Sequence, residues 1–395
     1  MNMQEWVQKG KEVFTNNYRQ LPVLFEKGEG CYLFDLEGKR YLDFVSGIAV
    51  NALGYGHKGL NDALKAQLDR FTHCSNLYYN QPAIEAAEKL IKASELDKVF
   101  FCNSGAEANE TALKLSRKYA KKYFGEDKYE IITMKNSFHG RTIATITATG
   151  QEKYRKGLSP LLPGIKYCEF NNIDSLKNTI NDHTCAIMLE VIQGEGGIVN
   201  IDPDYLISVR ALCDEYNLVL IFDEVQTGIG RTGEIFAYQL YNIKPDIVTL
   251  AKGLGAGIPI GAMVANEKIA TGFEPGDHAS TFGGNPLACT AANVVFTELT
   301  EGTLLDNVKE SGNYLKKKLL ALKEQKDCII DVRGEGLIQG IALEGVEIPA
   351  VLGKCMEKGL LLVGAGSNVV RFVPPLIVTE KEIDEAINIL DKCLG

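Results

Sequence analysis

The chain has 395 residues, of which 45% are hydrophobic and 24% are charged, and its formal net charge is −9. Such a length and balance are typical of a globular protein with two domains. The acidic excess argues against non-specific binding of nucleic acid, because no surplus of Lys and Arg exists to neutralise phosphates. No stretch approaches the ~20 apolar residues of a membrane span, and residues 1–6 contain no apolar signal core, so we expect a cytoplasmic protein that does not bind membranes.

The predicted elements begin with a hairpin over residues 29–44, whose turn lies at Glu37 and Gly38. From residue 98 onward, short apolar runs typical of strands alternate with amphipathic patterns typical of helices. The predicted strands are 98–102, 130–134, 185–192, 218–222, 246–250 and 260–265. The predicted helices between them are 106–123, 203–216 and 235–240. The alternation predicts a mostly parallel sheet with helices on both faces.

The last third of the chain has a different order of elements. Its predicted helices are 285–300, 303–324 and 380–393, and its predicted strands are 329–332, 337–343, 361–363 and 369–373. We interpret this part as a smaller α+β domain, which the first 45 residues join. The predicted division is an N-terminal segment of residues 1–45, a large domain of residues 46–290 and a small domain of residues 291–395.

Ten cysteines are distributed along the chain, and none forms a C-x-x-C pair. Several lie inside apolar runs, as Cys102 and Cys185 do. Buried thiols in a reducing compartment explain this pattern best. We therefore expect neither a disulfide framework nor a bound metal.

Asp223 and Lys252 each follow a predicted strand, and a predicted helix separates the two strands. In a βαβ unit both residues then emerge at the carboxyl edge of the sheet, where open α/β folds bind ligands. An acid and a lysine there suit pyridoxal 5′-phosphate (PLP), because the amine can hold the aldehyde as a Schiff base and the acid can keep the ring nitrogen protonated. An ordinary salt bridge is the structural alternative, and the pair alone does not separate the two.

A phosphate needs a cradle, and residues 101–107 run from a predicted strand into a helix. Ser104 can offer its hydroxyl, and Gly105 and Ala106 can offer backbone N–H groups where the helix dipole favours an anion. A capped turn without a ligand is the alternative. The glycine-rich run 253–261 does not fit G-x-G-x-x-G, so a nucleotide site is poorly supported.

An aromatic ring and a guanidinium lie close together in residues 137–142. Phe138 can lie over a cofactor ring, and Arg141 can grip a carboxylate with two parallel hydrogen bonds. We interpret His139 as structural, since Lys252 already supplies a base.

Six motifs follow one another in a fixed order, at residues 104–107, 138–142, 194–197, 222–233, 251–254 and 280–286. Together with the 29-residue step from Asp223 to Lys252, they resemble the class III (subgroup II) aminotransferases of PLP fold type I over nearly the whole chain. The resemblance implies an α/β fold, with a mostly parallel, seven-stranded type of sheet in the large domain and a smaller α+β domain. The resemblance also favours a PLP site over an ordinary salt bridge between Asp223 and Lys252.

The resemblance implies site roles that spacing does not assign. Lys252 and Asp223 would be catalytic. The implied contacts to PLP come from Ser104, Gly105, Ala106, Phe138, Asp223, Glu224, Val225, Gln226, Lys252 and Thr281. Gln226 would bond the ring hydroxyl, and Thr281 would reach the phosphate in the neighbouring subunit of a homodimer with shared active sites. The implied substrate contacts are Arg141, Ser280, Glu195 and Arg371. For each of these residues a structural or solvated polar role is the alternative.

The implied reaction moves an amino group from a donor to 2-oxoglutarate, which becomes glutamate, with Lys252 as base and ping-pong kinetics. Arg141 would hold the donor's carboxylate. Glu195 would neutralise Arg371 while an ω-amine donor is bound and swing away when glutamate binds, so that no buried charge stays unpaired.

Residues 46–54 resemble acetylornithine aminotransferases. Ile48 stands where ornithine aminotransferases tend to carry a tyrosine, and an apolar residue suits an acylated amine better. We therefore expect N2-acetylornithine and 2-oxoglutarate to give N-acetylglutamate 5-semialdehyde and glutamate, in arginine biosynthesis. The chain departs from the family at residues 55–58, often His-x-His-Pro, and at Ala256, usually glycine.

Several alternatives stay open. Other ω-amine donors are succinylornithine, ornithine, succinyldiaminopimelate and 4-aminobutyrate. An aminomutase of the glutamate-1-semialdehyde type shares the cofactor pocket, although Glu195 and Arg371 argue against it. A PLP-binding regulatory module usually carries a DNA-binding appendage, for which no segment is spare.

Overall fold

A computed structural model describes residues 1–394. Its strands are, in chain order, β1 (Phe25–Glu29), β2 (Tyr32–Asp35), β3 (Arg40–Asp43), β4 (Lys98–Cys102), β5 (Glu130–Met134), β6 (Ile165–Cys168), β7 (Thr184–Leu189), β8 (Ile192–Gln193), β9 (Val199–Asn200), β10 (Val219–Asp223), β11 (Ile247–Leu250), β12 (Gly261–Ala265), β13 (Ile329–Glu335), β14 (Ile338–Leu343), β15 (Leu360–Leu361), β16 (Val363–Ala365) and β17 (Val369–Phe372).

The helices are α1 (Met3–Val13), α2 (Ser46–Ala49), α3 (Lys58–Arg70), α4 (Gln81–Ser94), α5 (Gly105–Phe124), α6 (Ile143–Ala148), α7 (Glu152–Arg155), α8 (Ile173–Thr179), α9 (Pro203–Tyr216), α10 (Glu267–Ala270), α11 (Pro286–Thr300), α12 (Leu304–Lys323), α13 (Ile348–Glu357) and α14 (Glu380–Leu394). Two 3₁₀ turns add Ala237–Tyr241 and Lys252–Gly255.

A seven-stranded sheet organises the first two thirds of the chain, in the order β4-β12-β11-β10-β7-β5-β6. Strand β12 is antiparallel to both of its neighbours, and the other strands are parallel to one another. The predicted α/β fold with a mostly parallel sheet is confirmed. The carboxyl ends of six strands therefore meet at one edge.

The central strands form where the sequence has its short apolar runs. Strands β7, β10, β11 and β12 are buried along their whole length, as expected for strands that are covered on both faces. Helix α5 packs on the sheet through a buried face that includes Ala108, Ala112, Leu115 and Tyr119. Tyr123, one turn further along the helix, is half exposed.

Two predicted elements differ from the structure, one in its length and one in its type. The run 185–192 is not one strand, since β7 ends at Leu189 and the buried carboxyl of Glu190 accepts hydrogen bonds from the backbone N–H groups of Phe138 and Gly194. The segment 235–240 is a 3₁₀ turn over Ala237–Tyr241 rather than an α-helix.

The strands outside the seven-stranded sheet form smaller sheets. Strands β1, β2 and β3 form a sheet with β15, so the N-terminal strands pair with a strand from the last third of the chain. Strands β13, β14, β17 and β16 form another sheet. The proposed domain boundary at 290/291 stays a prediction, and it falls inside α11, which also packs on α3 and α4.

No helix within residues 1–394 is long and apolar enough to cross a membrane. Within the same residues, no group of three or more His, Cys, Asp and Glu side chains could hold a metal ion. All ten cysteines are free thiols.

Candidate active site

A cavity of about 180 Å³ opens at the carboxyl edge of the sheet. It lies where β4, β5, β7, β10 and β11 end, because parallel strands release their following loops at the same edge. The predicted site residues that line it are Gly105, Ala106, Phe138, Glu195, Asp223, Val225, Gln226 and Lys252. Its other lining residues are Asn109, His139, Gly140 and Glu190.

Asp223, the last residue of β10, is held from several sides. Its Oδ2 accepts hydrogen bonds from Asn109 Nδ2 at 2.8 Å and from His139 Nδ1 at 2.7 Å, and its Oδ1 accepts one from the Val225 N–H at 3.0 Å. Asn109 is fixed in turn by the Thr249 hydroxyl, which donates to Asn109 Oδ1 at 2.6 Å. The network orients a buried carboxylate towards the cavity.

His139 therefore belongs to the site through Asp223. Burial by itself lowers the pKa of His139, but the hydrogen bond and charge of Asp223 outweigh burial, and the pKa lies above its usual value. Sequence reasoning assigned His139 a structural role and missed Asn109. The available signal was a polar residue between Ala108 and Ala112 on the buried face of α5.

Lys252 begins the 3₁₀ turn that follows β11, with a left-handed φ of 44°. A non-glycine residue in that region is strained, and such strain is concentrated at functional positions. Burial lowers the pKa of the Lys252 amine to about 8. The amine therefore releases its proton far more readily than an exposed lysine does.

The N-terminus of α5 forms a cradle at the cavity. The first-turn N–H groups of Gly105 and Ala106 have no acceptor within the helix. A Cβ on Gly105 would lie 2.6 Å from Val225 Cγ1, so the position requires glycine. Ser104 caps the helix instead of lining the cavity: its Oγ accepts from the Glu107 N–H at 3.2 Å and donates to Glu107 Oε2 at 2.9 Å.

Glu195, which lines the cavity, forms an ion pair with Arg371. Arg371 of β17 is 1% exposed, and its Nη1 donates to Glu195 Oε1 at 2.5 Å and to Gln226 Oε1 at 2.9 Å. Burial alone raises the pKa of Glu195, but the Arg371 charge more than offsets burial and leaves the pKa below its usual value. Glu195 is therefore an anion in this arrangement.

Six predicted site residues lie outside the cavity lining, namely Ser104, Arg371, Glu224, Arg141, Ser280 and Thr281. The carboxylate of Glu224 accepts from the N–H groups of Ala237 and Tyr238, at 2.7 and 2.8 Å, and burial raises its pKa to about 8. Glu224 thus supports the neighbouring 3₁₀ turn.

Ser280 and Thr281 lie in the loop before α11. Ser280 Oγ accepts from Asn103 Nδ2 at 3.2 Å and from the Gly283 N–H at 3.0 Å. Thr281 is exposed on this single chain.

Arg141 is exposed near the cavity mouth, and its guanidinium carbon lies 5.4 Å from the ring centroid of Phe138 and 4.1 Å from that of Tyr154.

Sequence reasoning also missed Glu190. Burial raises its pKa to about 8, so the protonated form is favoured beside Asp223 and His139. The available signal was a carboxyl residue inside an otherwise apolar run.

Comparison with known proteins decides the family. Residues 13–394 match the family Aminotransferase class-III. The chain belongs to the class-III aminotransferases. This family is PLP-dependent, and the chain is an aminotransferase. The resemblance predicted from the motifs is confirmed.

Relatives of known function cover nearly the whole class-III chain. An acetylornithine aminotransferase of Caldanaerobacter subterraneus subsp. tengcongensis is 53% identical over 385 residues, which are 98% of each protein. The N-acetylornithine aminotransferase of Stenotrophomonas maltophilia K279a has a TM-score of 0.85 and 36% identity over 98% of each chain. The ornithine aminotransferase of Toxoplasma gondii, whose structure has PLP in partial occupancy at the active site, has a TM-score of 0.95 and 31% identity over 100% of this chain and 94% of that chain.

Proposed function

We propose that this class-III aminotransferase uses PLP held by Lys252 to move the δ-amino group of N2-acetylornithine to 2-oxoglutarate. The products are N-acetylglutamate 5-semialdehyde and glutamate, and the step belongs to arginine biosynthesis in the cytoplasm. One observation carries the proposal: a buried lysine of lowered pKa, a fixed aspartate and Glu195, which pairs with the buried Arg371, line the same cavity. The choice of donor is supported by the acetylornithine aminotransferase from Caldanaerobacter, at 53% identity.

The residues at the cavity fit PLP. Gly105 and Ala106 present N–H groups to a phosphate, with no side chain in the way. Phe138 supplies an aromatic ring in the wall, and Gln226, which also lines the cavity, would bond a ring hydroxyl. When bound, PLP supplies an aldehyde that reacts with amines and an electron-withdrawing ring.

The chain's own groups then handle protons. The carboxylate of Asp223, held by Asn109 and His139, would accept a hydrogen bond from the ring nitrogen and favour its protonated form. Lys252 Nζ takes the proton from the substrate carbon that bears the amine and later returns a proton, as suits an amine whose pKa lies near the working pH.

Two substrates can share the cavity because Arg371 has a removable partner. With an ω-amine donor bound, Glu195 neutralises Arg371 at 2.5 Å. When the α-carboxylate of glutamate or the matching carboxylate of 2-oxoglutarate arrives, it replaces Glu195 as the partner of Arg371. Arg141 holds the carboxylate at the far end of the ω-amine donor.

Ile48 supports an acylated donor. Residues 46–49 all have positive φ, so α2 is a left-handed turn. Such a conformation is rare for a β-branched residue. The Ile48 side chain is 38% exposed, and we propose that it contacts an acyl group rather than a charged α-amine.

We also propose a homodimer with shared active sites. Asn76 Nδ2 donates to the carbonyl groups of Ser280 and Gly283, at 2.8 and 2.9 Å, so the loops around residues 76 and 281 form one surface. The exposed apolar residues on these loops are Leu77, Tyr78, Tyr79 and Phe282. A partner that covers this surface would carry Thr281 and Ser280 to the neighbouring cavity.

The test is a donor panel with purified, PLP-loaded enzyme and 2-oxoglutarate. We expect N2-acetylornithine to react much faster than ornithine, N2-succinylornithine, succinyldiaminopimelate or 4-aminobutyrate, with one glutamate formed per amine consumed. Equal rates for ornithine and its acetyl form would overturn the assignment of the donor. Conversion of an amine without glutamate formation would indicate an aminomutase instead.

A further inference from the structure

The side chain of Arg141 rests on two aromatic rings outside the cavity lining. Its guanidinium carbon lies 4.1 Å from the ring centroid of Tyr154 and 5.4 Å from that of Phe138. The two rings contact each other edge to face, with centroids 5.5 Å apart and planes at 78°. The series Phe138–Tyr154–Arg141 thus runs from the cavity wall outward.

The rings hold Arg141 without neutralising it. Within residues 1–394, no carboxylate lies within ion-pair distance of Arg141. A guanidinium on a π face keeps its N–H groups free in its own plane, whereas a salt bridge would occupy them. Arg141 therefore keeps its donors for a carboxylate ligand.

Tyr154 is itself fastened to the loop that carries Phe138. It lies on α7, which follows Gln151, and Gln151 Nε2 donates to the carbonyl groups of Asn136 and Ser137 at 3.1 and 3.3 Å. The Tyr154 N–H donates to the Gln151 carbonyl at 3.2 Å. The position of the Tyr154 ring is thus tied to the end of β5.

We propose that Tyr154 is a positioning residue for the amine donor. It sets the distance between Phe138, which covers the cofactor ring, and Arg141, which grips the donor's distal carboxylate. The cavity accordingly favours ω-amines whose carboxylate lies several bonds from the amine. The inference rests on the proposed function, in which Arg141 holds the carboxylate of the amine donor.

The decisive variant is Tyr154→Leu, which keeps bulk and removes the π face. We expect the KM for N2-acetylornithine to rise about 3- to 30-fold with kcat within about twofold, the range expected from loss of one cation–π contact. Tyr154→Phe retains the ring and behaves like the parent enzyme.

A binding measurement separates anchoring from chemistry. N-acetylnorvaline has the acylated amino-acid end of the donor and lacks the terminal amine. By calorimetry, we expect its Kd to rise in Tyr154→Leu by the same factor as the KM. Tyr167→Leu is the matched control, because it removes the ring under Arg155, at 4.3 Å, and leaves Arg141 in place.

The outcomes separate the two proposals. If the parent enzyme transfers no amine from any carboxylate-bearing ω-amine, the proposed function fails. If the parent enzyme is active and Tyr154→Leu keeps its KM and Kd, the role of Tyr154 is wrong. A fall in kcat as large as the rise in KM also contradicts it, because general damage to the cavity would then explain the loss.

Discussion

Arg371 Nη1 and Glu195 Oε1 lie 2.5 Å apart, and both charges act on the amine of Lys252. Arg371 is almost fully buried, and its other polar contacts are neutral: Gln226 Oε1 and the Gly364 carbonyl. A buried guanidinium with a single anionic partner needs a replacement whenever that partner leaves. The arrangement suits alternate binding of a substrate carboxylate.

Glu195→Gln tests this exchange. The variant removes the competing anion, so we expect the KM for 2-oxoglutarate to fall about tenfold, since a close buried charge pair is worth more than 1.4 kcal/mol. The KM for N2-acetylornithine should rise, because Arg371 then stays unpaired while that donor is bound. Steady-state kinetics with both substrates varied gives the two values. Glu335→Gln, which removes an exposed pair with Lys316 at 3.1 Å, should change neither; unchanged constants in Glu195→Gln would contradict the exchange.

Asn109→Ala tests the support of Asp223. The variant removes one donor from Asp223 Oδ2 and the acceptor of the Thr249 hydroxyl. Leaving buried polar groups unsatisfied costs about 1–3 kcal/mol, so we expect the Kd for PLP to rise about tenfold, measured by fluorescence titration of the cofactor-free protein.

The control for this prediction is Asn293→Ala. Asn293 lies in α11, and its Nδ2 donates to the carbonyl of Pro82 in α4 at 2.9 Å, so this hydrogen bond joins two helices other than α5. It should lower the thermal midpoint and leave the Kd for PLP unchanged. If Asn109→Ala and Asn293→Ala have the same Kd for PLP, Asn109 does not act on the cofactor through Asp223.

Much of the fold could be predicted because the central strands are short apolar runs, and Asp223 and Lys252 mark where two of them end. The antiparallel direction of β12 could not, since an apolar run carries no information about direction. Ser104 illustrates a different limit. From the sequence, its hydroxyl could bind a phosphate or cap a helix. In this chain it donates to the carboxylate of Glu107 at 2.9 Å, within the capped first turn of α5.

Asn109 and Glu190 escaped sequence reasoning because each sits inside a pattern that otherwise reads as core. Their roles depend on which side chains meet across strands, and periodicity gives only the face of an element. The role of Thr281 follows neither from periodicity nor from the contacts of a single chain, because its proposed ligand belongs to a second subunit.

Lys252→Met tests how much the buried amine lowers the stability of the folded, cofactor-free protein. The folded pKa of about 8 lies below the usual 10.5, so the unfolded chain binds more protons between those values. Stability therefore rises with pH across the window from about 8 to 10.5, and below pH 8 the penalty is fully present, at about 3 kcal/mol. We expect the variant to raise the thermal midpoint of the cofactor-free protein at pH 7, with the gain shrinking as pH approaches 10.5. A variant less stable than the parent at pH 7 would contradict this.

His278→Gln tests how the loop before α11 is fastened. His278 Nδ1 accepts from Lys114 Nζ at 2.8 Å, and Nε2 faces Thr111 Oγ1 at 2.9 Å. Since the Thr111 hydroxyl donates to the Glu107 carbonyl at 2.7 Å, Nε2 must be the protonated nitrogen and the ring is neutral. Burial and the Lys114 charge lower the pKa of His278, against the weaker opposing charges of Glu110 and Glu107.

A His whose folded pKa is lowered supplies stability above the unfolded pKa of about 6.5 and loses it as pH falls towards the folded value. Glutamine can accept from Lys114 and donate to Thr111 without titrating. We expect parent and His278→Gln to have equal thermal midpoints at pH 7.5, and the parent to fall about 1 °C further by pH 5.5. His183→Gln, at an exposed site whose ring contacts the Asp127 carbonyl at 3.1 Å, should follow the parent. Parallel curves for parent and His278→Gln would mean that protonation of His278 does not weaken the attachment of this loop.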